Sequence, residues 1–330
     1  MVRRNHLPVT LALRNQLFLL LLGCALLYGP PSRGEDAASG KGTAGRITVP
    51  TSALFSMTGA PGSAFRQPTD VAVDSRLQFY VLDGLNGRVV IFDGQGRYLR
   101  SFGSIGSGPG QMLMAVGIGI SSNGEIFVAD TGNHRIQVFS PEGSPVRFFS
   151  LKTGENADPT DVLLSPLQNL CYVCDNDNHQ IQVYDAATGA LRMHWGGYGK
   201  NLGEFRYPAT LAADDRNQIY VVDVLNARVQ TFDARGERAR EVASWGVGLG
   251  RLFRPKGVAL DKKRRIFVSD SYLGLIKIFE NSGELAGVIG DEAGAMRKFA
   301  SPTNLLIDPQ ERLVVVETRA SRVSVLRVIQ

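Results

Sequence analysis

Histidine and cysteine are scarce in this 330-residue chain, which has four of the former and three of the latter. His6 lies in an N-terminal extension and His194 in a segment that reads as an outer strand, so only His134 and His179 remain as neighbours in the pattern. Cys24 belongs to an apolar leader. Cys171 and Cys174 fall three apart in one strand, which points them to opposite faces about 10 Å apart between Cα atoms. That is beyond disulfide reach. The run C-Y-V-C-D lacks the histidine that haem attachment requires. The pair therefore reads as buried thiols, and a disulfide-stapled scaffold is excluded. No sustained helical period occurs after residue 30, which excludes a helical bundle. No P-loop, nucleophile elbow or glycine-rich dinucleotide turn is present. A strong charge of one sign is also missing. The formal net charge is +5, but setting aside Arg3, Arg4 and Arg14 of the extension leaves 33 basic against 31 acidic residues, or +2. A polyanion such as nucleic acid gains little support from that balance.

What is abundant is turn and strand material: 37 glycines, 15 prolines and 44% hydrophobic residues. Residues 1–29 read as a targeting segment, with arginines ahead of an apolar core, Leu17–Leu22 and Gly23–Tyr28, that is short for a membrane span. Leu21-Leu22-Gly23-Cys24 is similar to a bacterial lipobox, although Ala25-Leu26-Leu27 stays apolar where such sequences turn polar. Three fates stay open: cleavage and release, lipidation at Cys24, or retention as an anchor. Each places the following domain outside the cytoplasm, in periplasm, envelope or medium. Residues 30–46 carry no apolar pattern and read as a flexible linker.

From residue 47 to 330 one phrase is restated. V-A-D-T-G-N-H-R-I-Q-V-F at Val128–Phe139 is a strand end, a polar turn and the start of a second strand. Its acidic anchors are Asp83, Asp130, Asp175, Asp223, Asp270 and Glu317, spaced 47, 45, 48, 47 and 47 residues apart. So regular a period is the mark of a repeat architecture. Upstream of each anchor lies an apolar strand, opened by proline in Pro68, Pro159, Pro208, Pro255 and Pro302, with small residues such as Ala72, Gly117 and Ala212 suited to a crowded axis. Downstream come a third strand, a glycine hairpin and a fourth strand ending near Phe102-Gly103 or Trp195-Gly196. The repeats run approximately 65–104, 112–151, 157–197, 205–246, 252–290 and 299–329. Four-stranded sheets with two apolar faces stack on neighbours and close by rotation. The sixth repeat ends after its third strand, and Leu54–Gly62 matches Leu99–Ser107. Ser52–Met57 is thus expected as the outer strand of the last sheet. The fold class is all-β: a six-bladed propeller of four-stranded antiparallel blades, the last closed by an N-terminal outer strand.

The Asp-x-x-Asn-x-Arg turn, the Pro-x-x-Val-x-Val-Asp strand and the Phe-Gly fourth strand strongly resemble the NHL repeat over residues 52–329. The resemblance implies a propeller, whose relatives bind protein or RNA, act as sensors or catalyse, so it does not fix function. The turn residues Asp83, Asn86, Arg88, Asp130, Asn133, Arg135, Asp175, Asn178, Asp223, Asn226, Arg228 and Asp270 read as scaffold. Asp130 is expected to accept N–H groups of its own turn, Asn133 to take the left-handed conformation, and Arg135 to reach the carboxylate or carbonyls.

The resemblance places the binding surface around the channel, where the loops into the first strand meet the turns between the second and third. Candidates there are Arg66, Asp70, Asp161, His134, His179, Arg206, Tyr207, Arg254, Lys256, Tyr272, Thr303, Asn304 and Arg319. The cations suggest a basic ring that Asp70, Asp161 and Asp177 dilute. NHL-fold amidating lyases use three histidines for zinc, and His134 and His179 are too few without a carboxylate substitute. Gluconolactonase-type propellers hold a divalent ion by acids and amides on the axis, whereas the inner strands here carry acids at their far ends, Asp74, Asp214, Asp261 and Asp308. No catalytic residue, metal ligand or cofactor is assigned. The expected function is a non-catalytic, monomeric binding module for a protein, peptide or glycan, without nucleic acid and with membrane association through its N-terminus. A metal-dependent lyase or lactonase is the alternative. The fifth and sixth repeats, where the standard turn is lost (Leu273, Leu275, Ala320), are the sector expected to bind.

Overall fold

The computed structural model describes residues 47–152, 157–165, 167–246 and 248–329. The leader with His6 and Cys24, and the linker to residue 46, lie outside the described residues. Among the described residues there is no α-helix, only strands and single 3-10 turns.

Each repeat folds as an antiparallel sheet in chain order. The first comprises Pro68–Val73, Phe79–Asp83, Arg88–Phe92 and Tyr98–Phe102. Sheets of the same order begin at Gly117–Ile120, Pro159–Leu164 and Pro208–Ala213. The remaining strands form one eight-stranded sheet, ordered Pro255–Leu260, Ile266–Asp270, Leu275–Phe279, Leu285–Gly290, Thr48–Met57, Arg322–Val328, Arg312–Glu317 and Pro302–Ile307. Its two halves meet at the N-terminal strand. Thr48–Pro50 runs parallel to Val288–Gly290, then Thr51–Met57 turns antiparallel to Val323–Val328, with an irregularity between Ala53 and Phe55. The strand expected at Ser52–Met57 is therefore longer, and its first residues reach the preceding repeat.

The period-two pattern explains the stacking. In the first sheet Phe79, Val81, Val90 and Phe92 pack into one apolar cluster with Val314 and Val316 of the last repeat. Their strand neighbours Tyr80, Leu82, Val89 and Ile91 pack into another with Ile126 and Val128 of the next repeat. A sheet buried on both faces gains about 2 kcal/mol for each large apolar side chain enclosed and has no stability without its neighbours. Cys171 and Cys174 follow the same alternation into two different clusters. The opening strands lie side by side in a cycle, from Pro68–Val73 through each repeat to Pro302–Ile307, which again borders Pro68–Val73. The architecture is a β-propeller. Side chains are excluded where opening strands touch: a Cβ on Gly117 would stand 2.6 Å from the Asp161 Cα, and one on Gly257 2.7 Å from the Asn304 Cα. Pairing of Pro68 with Asp83 and of Pro208 with Asp223 puts the turns of the motif and the starts of the opening strands at one end of the ring, here called the channel face.

Candidate functional site

The channel face is built by its acidic anchors. Asp130 is fully buried; its Oδ1 accepts the Leu113 N–H at 2.7 Å, and its Oδ2 accepts Asn133 Nδ2 and Arg135 Nε at 2.8 Å each. The same carboxylate bonds recur at Asp83 with Arg66 N–H, Asn86 and Arg88, and at Asp223 with Arg206 N–H, Asn226 and Arg228. These three anchors thus hold the incoming loop, 17 residues earlier, and not the N–H groups of their own turns as expected from an Asx pattern, whereas Asp270 also accepts the Leu273 N–H of its own turn at 3.3 Å. Arg135 also donates to the carbonyls of Ser107, Gly108 and Gln111, fixing that loop a second time. The left-handed residue is not Asn133 but the one after it: His134 has φ 54°, His179 57°, Ala227 49°. The asparagine instead spends its amide on the carboxylate.

Two repeats lack the arginine, and both recover a partner two residues later on the same strand face. Asp175 takes Asn178, Gln180 and Gln182, the last at 2.6 Å. Asp270 has Leu275 at the arginine position, and the fully buried Lys277 stands 3.8 Å away with its ammonium also donating to the Gly248 and Arg251 carbonyls. Burial pulls the Lys277 ammonium below its usual range, while Asp270 acts in the opposite sense. In the last repeat Glu317 keeps Arg322 at 2.7 Å. Departure from the standard turn in the fifth repeat is therefore compensated inside the scaffold and is not in itself a binding feature. No motif marks Lys277; its one signal in the sequence is a lysine amid Leu275-Ile276-Ile278-Phe279 on an otherwise apolar strand.

Along the channel, side chains from four of the opening strands, Asp70, Asp161, Thr210 and Asn304, reach the next opening strand, and Gly117 and Gly257 stand at the equivalent place in the other two. Asp70 accepts the Val71 and Ile118 N–H groups at 2.6 and 2.7 Å, and Asn304 donates its amide to Asp70. Asp161 accepts Val162 N–H at 2.8 Å and Leu211 N–H at 2.7 Å. Thr210 Oγ1 donates to the Lys256 carbonyl. Acids are thus present within the opening strands and not only at their far ends. They are buried, at 4% and 5% exposure, and so do not dilute the charge at the mouth. Burial raises both carboxyls, Asp161 to about 7; Asp70 is raised further by the charge of Asp161. Every oxygen of the pair already accepts a backbone N–H, and among the described residues no cluster of His, Cys, Asp and Glu has the makings of a metal site.

The histidines are likewise committed. His134 Nδ1 donates to the Ala157 carbonyl at 2.6 Å. His179 Nδ1 accepts the Tyr207 N–H at 3.2 Å, and burial lowers its pKa, which favours the neutral ring. Tyr207, itself at φ 60°, meets the His179 ring edge-on at 4.6 Å, and Arg206 lies over Tyr198 at 5.6 Å. Thr303 and Thr318 share a hydroxyl bond at 2.6 Å. Arg254, Lys256 and Tyr272 gather at the fifth repeat, where Tyr272 packs on Phe253 at 4.8 Å; Phe253 and Tyr198 had not been singled out in the sequence. Arg66 and Arg319 are exposed on separate loops. At the opposite end of the ring a cleft of about 880 Å³ opens between the first repeats, lined by Asp74, Arg76, Tyr80, Arg100, Ser121 and Glu142. No residue of the sequence-based candidate set lines it.

The NHL repeat model matches residues 65–92 and 112–139. The protein brain tumor of Drosophila melanogaster is 31% identical over 149 residues, 42% of this chain and 13% of that protein. The chain therefore spans only a small part of that relative. Among solved structures, a gluconolactonase from Xanthomonas campestris superposes with TM-score 0.61 at 15% identity, over 80% of this chain and 88% of that one. A virginiamycin B lyase from Staphylococcus aureus gives 0.60 at 14% identity, over 80% and 81%. Identities this low speak for fold alone. The chain carries NHL repeats on a β-propeller.

Proposed function

We propose that this protein is a non-catalytic binding module, exposed outside the cytoplasm, that recognises a protein, peptide or glycan on its channel face. One observation carries the reading. The carboxylates Asp70, Asp130 and Asp161 and the two histidines of that end are engaged in holding loops and strands together, while cations and aromatic rings from several loops, with Asp177 among them, face solvent around one mouth. Such a surface is suited to contact with a partner. The extracytoplasmic placement rests on the arginine-led apolar leader. We further propose six blades and a monomer. The eight-stranded sheet is read as two blades joined only through Thr48–Pro50, because each half alone has the four-strand order of the others. The N-terminal strand is then the clasp of the ring.

The reading is tested by capturing the tagged full-length chain from the envelope of its own cells. Charge reversal of Arg254 and Arg319 should abolish capture of a specific partner, and Arg76→Glu in the opposite cleft should leave it intact. The lyase or lactonase alternative makes a different forecast: stoichiometric zinc or calcium in the purified protein, with a turnover that chelation removes.

A further inference from the structure

The fifth repeat concentrates positive charge around one apolar anchor. The Asp270 carboxylate accepts the Phe253 N–H at 2.8 Å and the Arg254 N–H at 3.3 Å, and Ser271 donates its N–H and its hydroxyl to the Arg254 carbonyl at 3.0 and 3.1 Å. The backbone at 253–254 is thereby fixed. Tyr272 follows directly, 52% exposed, its ring tilted against Phe253 beneath it. On one side lie Arg254 and Lys256, where burial and the charge of Arg254 push the Lys256 ammonium down to about 8. On the other, Lys298 Nζ donates to the Leu273 carbonyl at 2.8 Å, beside the Tyr272 turn. Arg319 holds in the next repeat the position of Tyr272, two residues after the anchor. Asp270, the acid of this turn, is paired with Lys277 at 3.8 Å. Among the described residues no carboxylate forms an ion pair with Arg254, Lys298 or Arg319.

We propose that this sector of the channel mouth docks an acidic peptide segment of a partner protein, with one apolar or aromatic side chain seated on Tyr272 and carboxylates on Arg254, Lys298 and Arg319. The proposal rests on the binding-module reading and names the partner class of that face. Crowded like charges are relieved by an anion, and charge complementarity directs both encounter and register. Single-stranded nucleic acid fits less well, because it is held by successive stacking platforms along a basic track. Here one exposed ring is flanked by cations, and the chain outside its leader has a net charge of only +2.

The test uses the full-length chain and a fluorescent peptide of about twelve residues, rich in Asp and Glu around a central Phe, by anisotropy. Saturable binding should weaken about tenfold as salt rises from about 50 to about 500 mM. Lys298→Glu with Arg319→Glu, both exposed, should weaken it about tenfold or more, and Tyr272→Ala about fivefold. Arg66→Glu, in a different sector of the face, should change it less than about twofold. Absence of saturable binding, indifference to the 298 and 319 reversals, or an oligonucleotide of equal charge binding as tightly as the peptide overturns the proposal. If the peptide fails while envelope capture is still lost on Arg319→Glu, the binding face stands with another ligand. If capture is indifferent as well, the underlying reading falls too.

Discussion

Lys277 supplies the cation that a repeat without its arginine needs, and it does so from a site with no solvent exposure. Removing one partner of a buried pair leaves the other charge uncompensated. Lys277→Met should lower unfolding free energy by about 3 kcal/mol in denaturant titration, and Asp270→Asn in the same chain should restore part of the loss. If Lys277→Met alone is neutral, the compensation is not what holds the fifth turn. The buried carboxyls of the channel give a pH dependence whose sign is fixed. Asp161 is raised in the fold to about 7 from an ordinary carboxyl near 4 when unfolded, so the folded state holds the proton more tightly. Its contribution is greatest below pH about 4 and is lost as pH climbs through about 7. Thermal midpoints should fall over that interval. Asp161→Asn should flatten the slope at a lower plateau, since an amide cannot accept both the Val162 and Leu211 N–H groups. At this scale the sequence made the anchors legible as turn residues, because they recur. It hid what they bind: Asp130 looks local, yet its partner Leu113 lies in the preceding loop, and hydrogen bonds to backbone leave no side-chain signature.

The N-terminal strand is the element on which the proposed closure rests. Its antiparallel register with Val323–Val328 covers what is otherwise a free edge, and its first residues add Thr51 Oγ1 donating to the Gly290 carbonyl at 2.7 Å. A chain beginning at residue 47 should match the full-length protein in stability. Loss of residues 1–57 should expose an edge strand and cause aggregation, seen by light scattering. A chain beginning at residue 51 falls between, since it loses the parallel pairing to Val288–Gly290, the Thr48 Oγ1 bond to the Gly294 carbonyl and the Pro50 carbonyl that accepts the Ile329 N–H, but keeps the antiparallel pairing. Equal stability of the two truncations at 47 and 58 would refute the clasp. Opening strands permit a second test. Gly117→Ala puts a methyl against the Asp161 backbone and should destabilise by about 2 kcal/mol, whereas Gly203→Ala, with open space around it but φ +86°, should cost about 1 kcal/mol. Strand order and the small residues of the opening strands were readable from period and spacing. The extension of the first strand to Thr48 was not, because Thr48-Val49-Pro50 pairs with a repeat it does not resemble.

Over the whole molecule, the regular 45 to 48 residue spacing foretold a ring, and alternating apolar residues foretold sheets buried on both faces. The candidate site was legible in part. Arg254, Lys256 and Tyr272 fall together, Asn304 joins Asp70 as a strand tie, and His134 and His179 serve their own turns. Which residues share a sector depends on rotation about the axis, and which charges reach solvent depends on burial; neither is written in a linear pattern. The binding face is defined by where a partner engages the ring. The direct measurement is capture of the full-length chain's partner by three forms of the protein: unaltered, Arg254→Glu with Arg319→Glu, and Arg76→Glu. Loss of the partner with the channel-face pair and its retention with Arg76→Glu is the predicted result. Retention with the pair and loss with Arg76→Glu would move recognition to the opposite cleft and contradict the account.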